Sequence, residues 1–184
     1  MKVIVVGGGI GGLSSYLVLR KFLEDVCSAL TIKVYESHPD PGLTTSVIGG
    51  GLGLAPNGLR ALSSFCPDVV ERLLAKGYTS RYQTMRNSTG KLLGRLWIGK
   101  HGQYGYPQMM LPRQTVHEEI LAEVPPDAVE WGRKVTVVRE IAEGVEVQFE
   151  DGAVETADLV IGADGVRSTV REVVVGNGYV PTYE

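Results

Sequence analysis

The sequence predicts an α/β fold built on a parallel sheet, and three observations lead there. An apolar run, Val3 to Val6, opens directly into Gly7-Gly-Gly-Ile-Gly-Gly12. A helical stretch then continues through Leu13 to Leu23. An alternating, β-branched segment, Thr31 to Tyr35, follows it and ends at Glu36. Strand, glycine turn, helix and second strand in that order form a Rossmann-like βαβ unit.

Each part of the unit has a physical task. Gly7 permits the tight turn out of the strand, Gly9 lets backbone approach a ligand, and Gly12 lets the helix lie close to the sheet. The amides of Ile10, Gly11 and Gly12 belong to the first helical turn. They have no intrahelical acceptors and carry the positive end of the helix dipole, an arrangement suited to a pyrophosphate. Glu36 stands 24 positions after Gly12, close to the spacing expected of an acid on a ribose hydroxyl. A carboxylate there accepts hydrogen bonds from a diol and repels a 2′-phosphate, so the adenosine half of the ligand should be unphosphorylated.

After Glu36, His38-Pro-Asp-Pro-Gly42 reads as a loop, because each proline disfavours helix at the residue before it. The segment from Ile48 to Gly53 is glycine-dense and suits close passage of backbone past a planar or bulky group. Pro56-Asn57 opens a helix to about Phe65, and a second runs from Asp68 to Lys76 with Gly77 as a left-handed cap. Arg81 to Arg86 and Lys91 to Ile98 read as strands around an Asn87-Ser-Thr-Gly90 turn, with Tyr104 to Leu111 as a third. Helix returns from Arg113 to Val124, with Val116, Ile120, Leu121 and Val124 as its apolar stripe. Val135–Val138 and Val145–Phe149 alternate, Asp151-Gly152 is a hairpin turn, and Asp158 to Gly162 is a continuous apolar strand leading through a Gly/Asp turn into a short helix. Loops at the carboxyl ends of parallel strands share one edge, so this last turn should lie beside the first glycine loop.

Composition narrows the function classes. At 184 residues and 43% hydrophobic, the chain can bury a real core. A net charge of −3 with scattered Lys and Arg leaves no electrostatic footprint for nucleic acid or a membrane surface. Cys27 and Cys66 lie far apart and read as reduced core thiols of a cytoplasmic protein. Val3 to Leu19 carries no charge, but five of its seventeen residues are glycines, which argues against a signal peptide and for a buried strand and turn. His38, His101 and His117 show no metal spacing, no Ser/His/Asp set converges, and each histidine reads as a polar surface or loop residue.

Two fingerprints together carry a resemblance. Val3–Gly12 with Glu36, followed by Ala163-Asp-Gly-Val-Arg-Ser-Thr-Val-Arg171, resembles the FAD-dependent aromatic hydroxylases, the single-component flavoprotein monooxygenases. Gly51-Leu-Gly-Leu-Ala-Pro-Asn57 is similar to the stretch that family places along its flavin, and Leu111-Pro-Arg-Gln to its Arg-bearing helix. The resemblance implies a Rossmann-like FAD-binding fold with a β-meander crossover and a partial antiparallel substrate-side sheet. It divides the chain into a FAD-binding part, 1–77 and 112–184, and an insertion, 78–111. It implies that Gly7, Gly9, Ile10, Gly11 and Gly12 hold the FAD pyrophosphate, that Glu36 holds the adenosine ribose, and that Arg113 and Asp164 stand near the phosphate and ribityl region. NAD(P)H is the implied electron donor, with Asp164, Gly165 and Arg171 as further candidates toward it. An aromatic or polycyclic small molecule and O₂ are the implied substrates. No side chain is implied as a catalytic base, since a flavin carries the hard chemistry.

The same residues have plainer readings. Arg113 at a helix N-terminus is disfavoured by the dipole by roughly 0.3–1 kcal/mol, which an anion nearby would offset, and it also reads as a solvated surface arginine. Asp164 cannot touch a phosphate without repulsion, so it should cap the following helix or act through water. Arg167 and Arg171, four apart, also read as one solvated helical face. The family's later Gly-Asp fingerprint is absent from the sequence. The expectation is therefore an N-terminal portion of a hydroxylase that binds FAD weakly and couples oxygen transfer poorly. An FAD oxidase or dehydrogenase, and a flavin-free binding scaffold resembling the GDP-dissociation inhibitors, stay open as alternatives.

Overall fold

The computed structural model describes residues 1–44, 50–99 and 101–176. Residues 48 and 49 of the glycine-dense segment lie outside that range. The chain divides into two compact units, Met1–Ile48 with Ile120–Glu184, and Gly49–Glu119.

The first unit begins with β1 (Lys2–Val6), α1 (Ile10–Leu23) and β2 (Thr31–Glu36). The second holds β3 (Gly51–Leu54), α2 (Pro56–Phe65), α3 (Pro67–Lys76), β4 (Tyr78–Ser80), β5 (Tyr82–Arg86), β6 (Leu92–Trp97), α4 (His101–Tyr104) and β7 (Gln108–Pro112). Helix α5 (Arg113–Leu121) crosses the boundary. The first unit resumes with β8 (Val129–Trp131), β9 (Val135–Ile141), β10 (Gly144–Phe149), β11 (Val154–Ala157), β12 (Leu159–Gly162) and α6 (Thr169–Val175).

In the first unit four strands form a parallel sheet in the order β12-β1-β2-β8. The continuous apolar run of β1 is explained by its central position: Val3, Ile4 and Val5 are fully buried, as expected of a strand covered on both faces. Helix α1 packs on β1 and β2. The antiparallel meander β9-β10-β11 supplies Val138, Val147, Phe149 and Ala157 to a core shared with Ile4, Val6, Tyr35 and Val170. Tyr35 meets Phe149 edge to face, with ring centroids 4.7 Å apart. The Tyr35 hydroxyl donates to Glu155 Oε1 at 2.7 Å, and Lys2 Nζ donates to Glu155 Oε2 at 2.8 Å. Burial, then the Glu155 carboxylate, raise the Tyr35 phenol well above its ordinary value.

In the second unit the antiparallel sheet runs β3-β7-β4, and α2 packs on α3 through an interior that includes Leu59, Leu62, Val69 and Leu73. The β5–β6 ribbon turns where expected, with Asn87 Oδ1 accepting from Thr89 N and Lys91 N. Tyr82 meets Trp97 edge to face across it.

Several expectations need correction. Gly77 is not left-handed: its φ is −92° and ψ 160°, because the chain leaves α3 already extended into β4. A Cβ there would lie 2.3 Å from Met109 Cε, so a larger residue would have to displace the end of that side chain. The third strand of the second unit starts at Gln108, and Tyr104 instead ends a short helix. Cys27 and Cys66 are not joined in a disulfide and are half-buried outside the core, Cys27 in the connection from α1 to β2 and Cys66 between α2 and α3. His117 is 1% exposed, on the buried side of α5 together with Val116 and Ile120. Among the described residues, no helix is long and apolar enough to cross a membrane.

Candidate functional site

The sheet of the first unit brings three loops to one rim. Parallel pairing puts the carboxyl ends of β1, β2 and β12 side by side, with Val6 opposite both Tyr35 and Gly162. The bonding continues one residue further on each side: Gly7 N donates to the Tyr35 carbonyl at 2.8 Å, and Ala163 N to the Val6 carbonyl at 2.8 Å. The chain leaves β1 toward β2 on one side, while β12 returns on the other. The rim beside β1 is thus a topological switch point, where open α/β sheets place ligands.

The glycine loop is shaped by its neighbours and by open space. Gly7 has a φ of +106°, and a Cβ on it would lie 2.4 Å from the Ala163 carbonyl oxygen, so the first and last loops touch. A Cβ on Gly12 would lie 1.8 Å from the Gly7 carbonyl oxygen, which holds α1 against the turn. Gly9 and Gly11 differ, since nothing lies within 4 Å of where their Cβ atoms would stand. Gly9 is the N-cap of α1 and carries no side chain to cap it. The first intrahelical bond is Leu13 N to the Gly9 carbonyl at 3.0 Å, so the amides of Ile10, Gly11 and Gly12 precede the helical ladder. Amides outside the helical ladder, beside backbone that leaves space at Gly9 and Gly11, suit an anion.

Glu36 closes β2 and is 7% exposed. Gly8 N donates to Oε2 at 2.6 Å, and His38 N donates to Oε1 at 2.9 Å. Oε1 also accepts from the Ser37 hydroxyl at 3.0 Å and lies 2.6 Å from His38 Nδ1. Burial acts to raise the Glu36 carboxyl, but the bonds from His38, Gly8 and Ser37 outweigh it and hold the group below the ordinary glutamate value. A buried, charged, oriented acceptor is thus fixed at the rim. The part played by His38 and Ser37 escaped the sequence reading, because adjacency in the chain does not disclose which way a loop residue turns.

Asp164 follows β12 and is committed to local structure. Its Oδ1 accepts from the Ser168 hydroxyl at 2.6 Å, and its Oδ2 accepts from Thr169 N at 2.7 Å and Val170 N at 3.3 Å. Ser168 in turn caps α6 by accepting from Arg171 N at 2.9 Å. Asp164 is therefore the cap that the sequence suggested, and it secures the loop that Gly7 touches. Arg167 and Arg171 do not share a helical face: Arg167 ends a 3₁₀ turn, while Arg171, inside α6, donates back to the Val166 carbonyl at 3.0 Å.

Arg113 belongs to the second unit. It opens α5, its side chain is exposed, and its amide donates to the Gly50 carbonyl at 3.3 Å. His101 lies in α4, and its side chain is outside the described residues.

No protein-family model matches the chain. It is 33% identical over 178 residues to 3-amino-4-hydroxybenzoate 2-monooxygenase of Streptomyces cremeus, covering 95% of this chain and 42% of that one. It is 28% identical over 178 residues to 6-hydroxynicotinate 3-monooxygenase of Pseudomonas fluorescens, covering 95% and 43%. A single-residue variant of Klebsiella pneumoniae HpxO, solved with FAD, matches 99% of this chain and 44% of its own at a TM-score of 0.79 and 28% identity. The chain spans about two fifths of the length of the curated relatives it matches. Along nearly all of its residues the chain is similar to the N-terminal portion of FAD-dependent aromatic hydroxylases, and it shares with the HpxO structure a Rossmann-like fold, here with first and last loops that meet.

Proposed function

We propose that the chain provides the dinucleotide-binding part of an NAD(P)H-driven FAD monooxygenase acting with O₂ on an aromatic small molecule. The observation that carries this reading is the meeting of Gly7 with Ala163 at the rim where β1, β2 and β12 end. The open space at Gly9 and Gly11 and the buried carboxylate of Glu36 fit the pyrophosphate and the ribose of FAD.

In this reading the amides of Ile10, Gly11 and Gly12 bind the pyrophosphate, Gly7 and Gly9 let it approach, and Glu36 accepts from the adenosine ribose. Asp164 acts as a positioning residue by holding the loop after β12. Arg113 is assigned to a cofactor phosphate on the resemblance alone. Residues 78–111 are assigned to the substrate side, and 1–77 with 112–184 to the cofactor. FAD, when bound, supplies the redox and oxygen chemistry, and the protein's work is to bind, orient and exclude water.

Titration of the purified chain with FAD tests the proposal. Bound flavin absorbance that survives gel filtration only in part, with slow nicotinamide oxidation, is the expected result. Loss of all flavin signal at saturating FAD would overturn the cofactor assignment. Oxygen uptake driven by an organic substrate without nicotinamide would favour an oxidase instead.

A further inference from the structure

Helix α2 turns Leu59 and Leu62 into the interior of the second unit. Its other side borders a cavity of about 230 Å³, to which it contributes Pro56, Asn57 and Arg60. Asn57 and Arg60, three apart, are neighbours on the helix surface. Trp97 and Ile98 from the end of β6, and Tyr104 from the end of α4, complete the lining. Pockets for drug-sized molecules hold roughly 300–1,000 Å³, so this smaller space suits a single ring.

The wall opposite α2 is pinned on either side. Ile98 N and Gly99 N donate to the Arg81 carbonyl at 3.0 and 3.3 Å. A Cβ on Gly99 would collide with the Gln108 amide nitrogen and the Ser80 carbonyl oxygen, so the chain after β6 lies hard against β4 and β7. Beyond α4, the Tyr106 hydroxyl donates to Ser63 Oγ of α2 at 2.7 Å. The cavity is therefore preformed.

Its lining combines one cation with flat apolar surface. Arg60 is exposed, and α2 carries no acidic residue. Among the described residues, the Arg60 guanidinium has neither an ion pair nor a hydrogen bond. None of the lining residues is an acid. A guanidinium presents a planar fork of donors that matches the two oxygens of a carboxylate. Trp97 and Tyr104 add two aromatic rings, and most of the Trp97 indole is uncovered although Tyr82 meets it edge to face at 5.9 Å. Ring surface beside an unpaired cation favours a ligand that is flat, apolar and negatively charged at one end.

We propose that this cavity binds a single-ring aromatic carboxylate, with the carboxylate on Arg60 and the ring against Trp97 and Tyr104. The Asn57 amide is a further donor beside the charged end. Inorganic phosphate fits less well, since it would leave the aromatic walls uncovered. Every lining residue belongs to the second unit, so the assignment extends past the FAD reading and does not depend on it.

The test titrates benzoate into the full 184-residue chain without FAD, followed by nitrogen–proton NMR. The Arg60 Nε–H and the Trp97 indole N–H should shift together, with a dissociation constant on the order of 1 mM or lower. The Trp131 indole, in the first unit, should stay still. Benzamide keeps the ring without the charge, and acetate keeps the charge without the ring. Each should bind about tenfold more weakly than benzoate, or weaker still. Arg60→Gln should lower benzoate affinity about tenfold and leave benzamide affinity unchanged, and Arg60→Lys should recover part of the loss. Both variants should melt with wild type, because Arg60 is exposed and unpaired, so the loss would not be one of folding. Trp97→Ala should weaken benzoate and benzamide alike. Acetate binding as tightly as benzoate would reduce the site to an adventitious anion on a surface arginine and overturn the proposal. Benzoate affinity untouched by Arg60→Gln would also overturn it, as would shifts at Trp131 in place of Trp97. Because the titration contains no FAD, its result is separate from that of the cofactor reading.

Discussion

Gly7 and Ala163 approach so closely that a single added carbon on the glycine would stand 2.4 Å from the alanine carbonyl oxygen. The backbone of Gly7 is also in a region that side chains avoid, at a φ of +106°. Gly7→Ala therefore has to open the seam between the first and last loops. It should cost about 1–3 kcal/mol in chemical denaturation, from strain and lost contact together.

The glycines of α1 should separate by role. Gly12→Ala puts a carbon 1.8 Å from the Gly7 carbonyl oxygen, so it should destabilise the chain by several kcal/mol or prevent folding. Gly11→Ala meets nothing, and by helix propensity it should leave stability unchanged or raise it by about 0.5–1 kcal/mol. If open space at Gly11 belongs to the pyrophosphate, that same variant should lose FAD affinity. Thermal melts and FAD titrations of the pair check this, and equal stability loss in both would refute it.

Glu119 links two helices of the second unit. Although it is 7% exposed, it pairs with Arg72 at 2.5 Å and with Lys76. The hydrogen bonds from Lys76 and Arg72 hold its carboxyl below the ordinary value of 4.5. A lowered native value means that its stabilisation is complete above the ordinary glutamate range and disappears as pH falls through the native value. Glu119→Gln should cost about 1–2 kcal/mol at neutral pH, discounted because both cations are partly exposed, and should flatten the acid limb of a stability–pH curve. An unchanged acid limb would show that the pair contributes nothing.

Tyr35 shows the opposite sign. Its phenol is raised by burial and by Glu155, so the unfolded state ionises first as pH climbs past the ordinary value of 10.0. Stability should therefore decline on the alkaline side, and tyrosinate absorbance from this residue should appear only with unfolding. Tyr35→Phe removes the bond to Glu155 and should cost about 0.5–1.5 kcal/mol at neutral pH.

Asp164→Ala should remove three hydrogen bonds around the start of α6 and cost about 0.5–2 kcal/mol. A larger loss of FAD affinity than of stability would mark the loop after β12 as part of the binding rim, while parallel losses would leave Asp164 a cap alone.

Local pattern made the βαβ unit legible, because Val3–Val6, the glycines and Thr31–Tyr35 each announce one element through period and composition. The meeting of the two loops was also legible, since parallel topology dictates it. Strand β8 was missed: three residues between Pro126 and Gly132 carry too little periodicity to register. Gly77 misled because residue type suggests a cap, whereas only tertiary packing reveals the Met109 side chain beside it. His117 was assigned to the surface because an apolar stripe identifies a helix's buried face by its aliphatic members and passes over a polar one among them. The clamp on Glu36 depends on the turn of a loop side chain, which no spacing encodes.

The β5–β6 ribbon has a practical consequence. Leu93, Leu96 and Trp97 on β6 and its turn are 64%, 51% and 65% exposed, and the ribbon has only two strands. Such a ribbon is marginal by itself, and its unpaired outer edges are templates for another chain. Concentrated stocks should therefore form oligomers by edge-to-edge association through this hairpin, and a lysine in place of Leu93 or Leu96 should keep the preparation monodisperse.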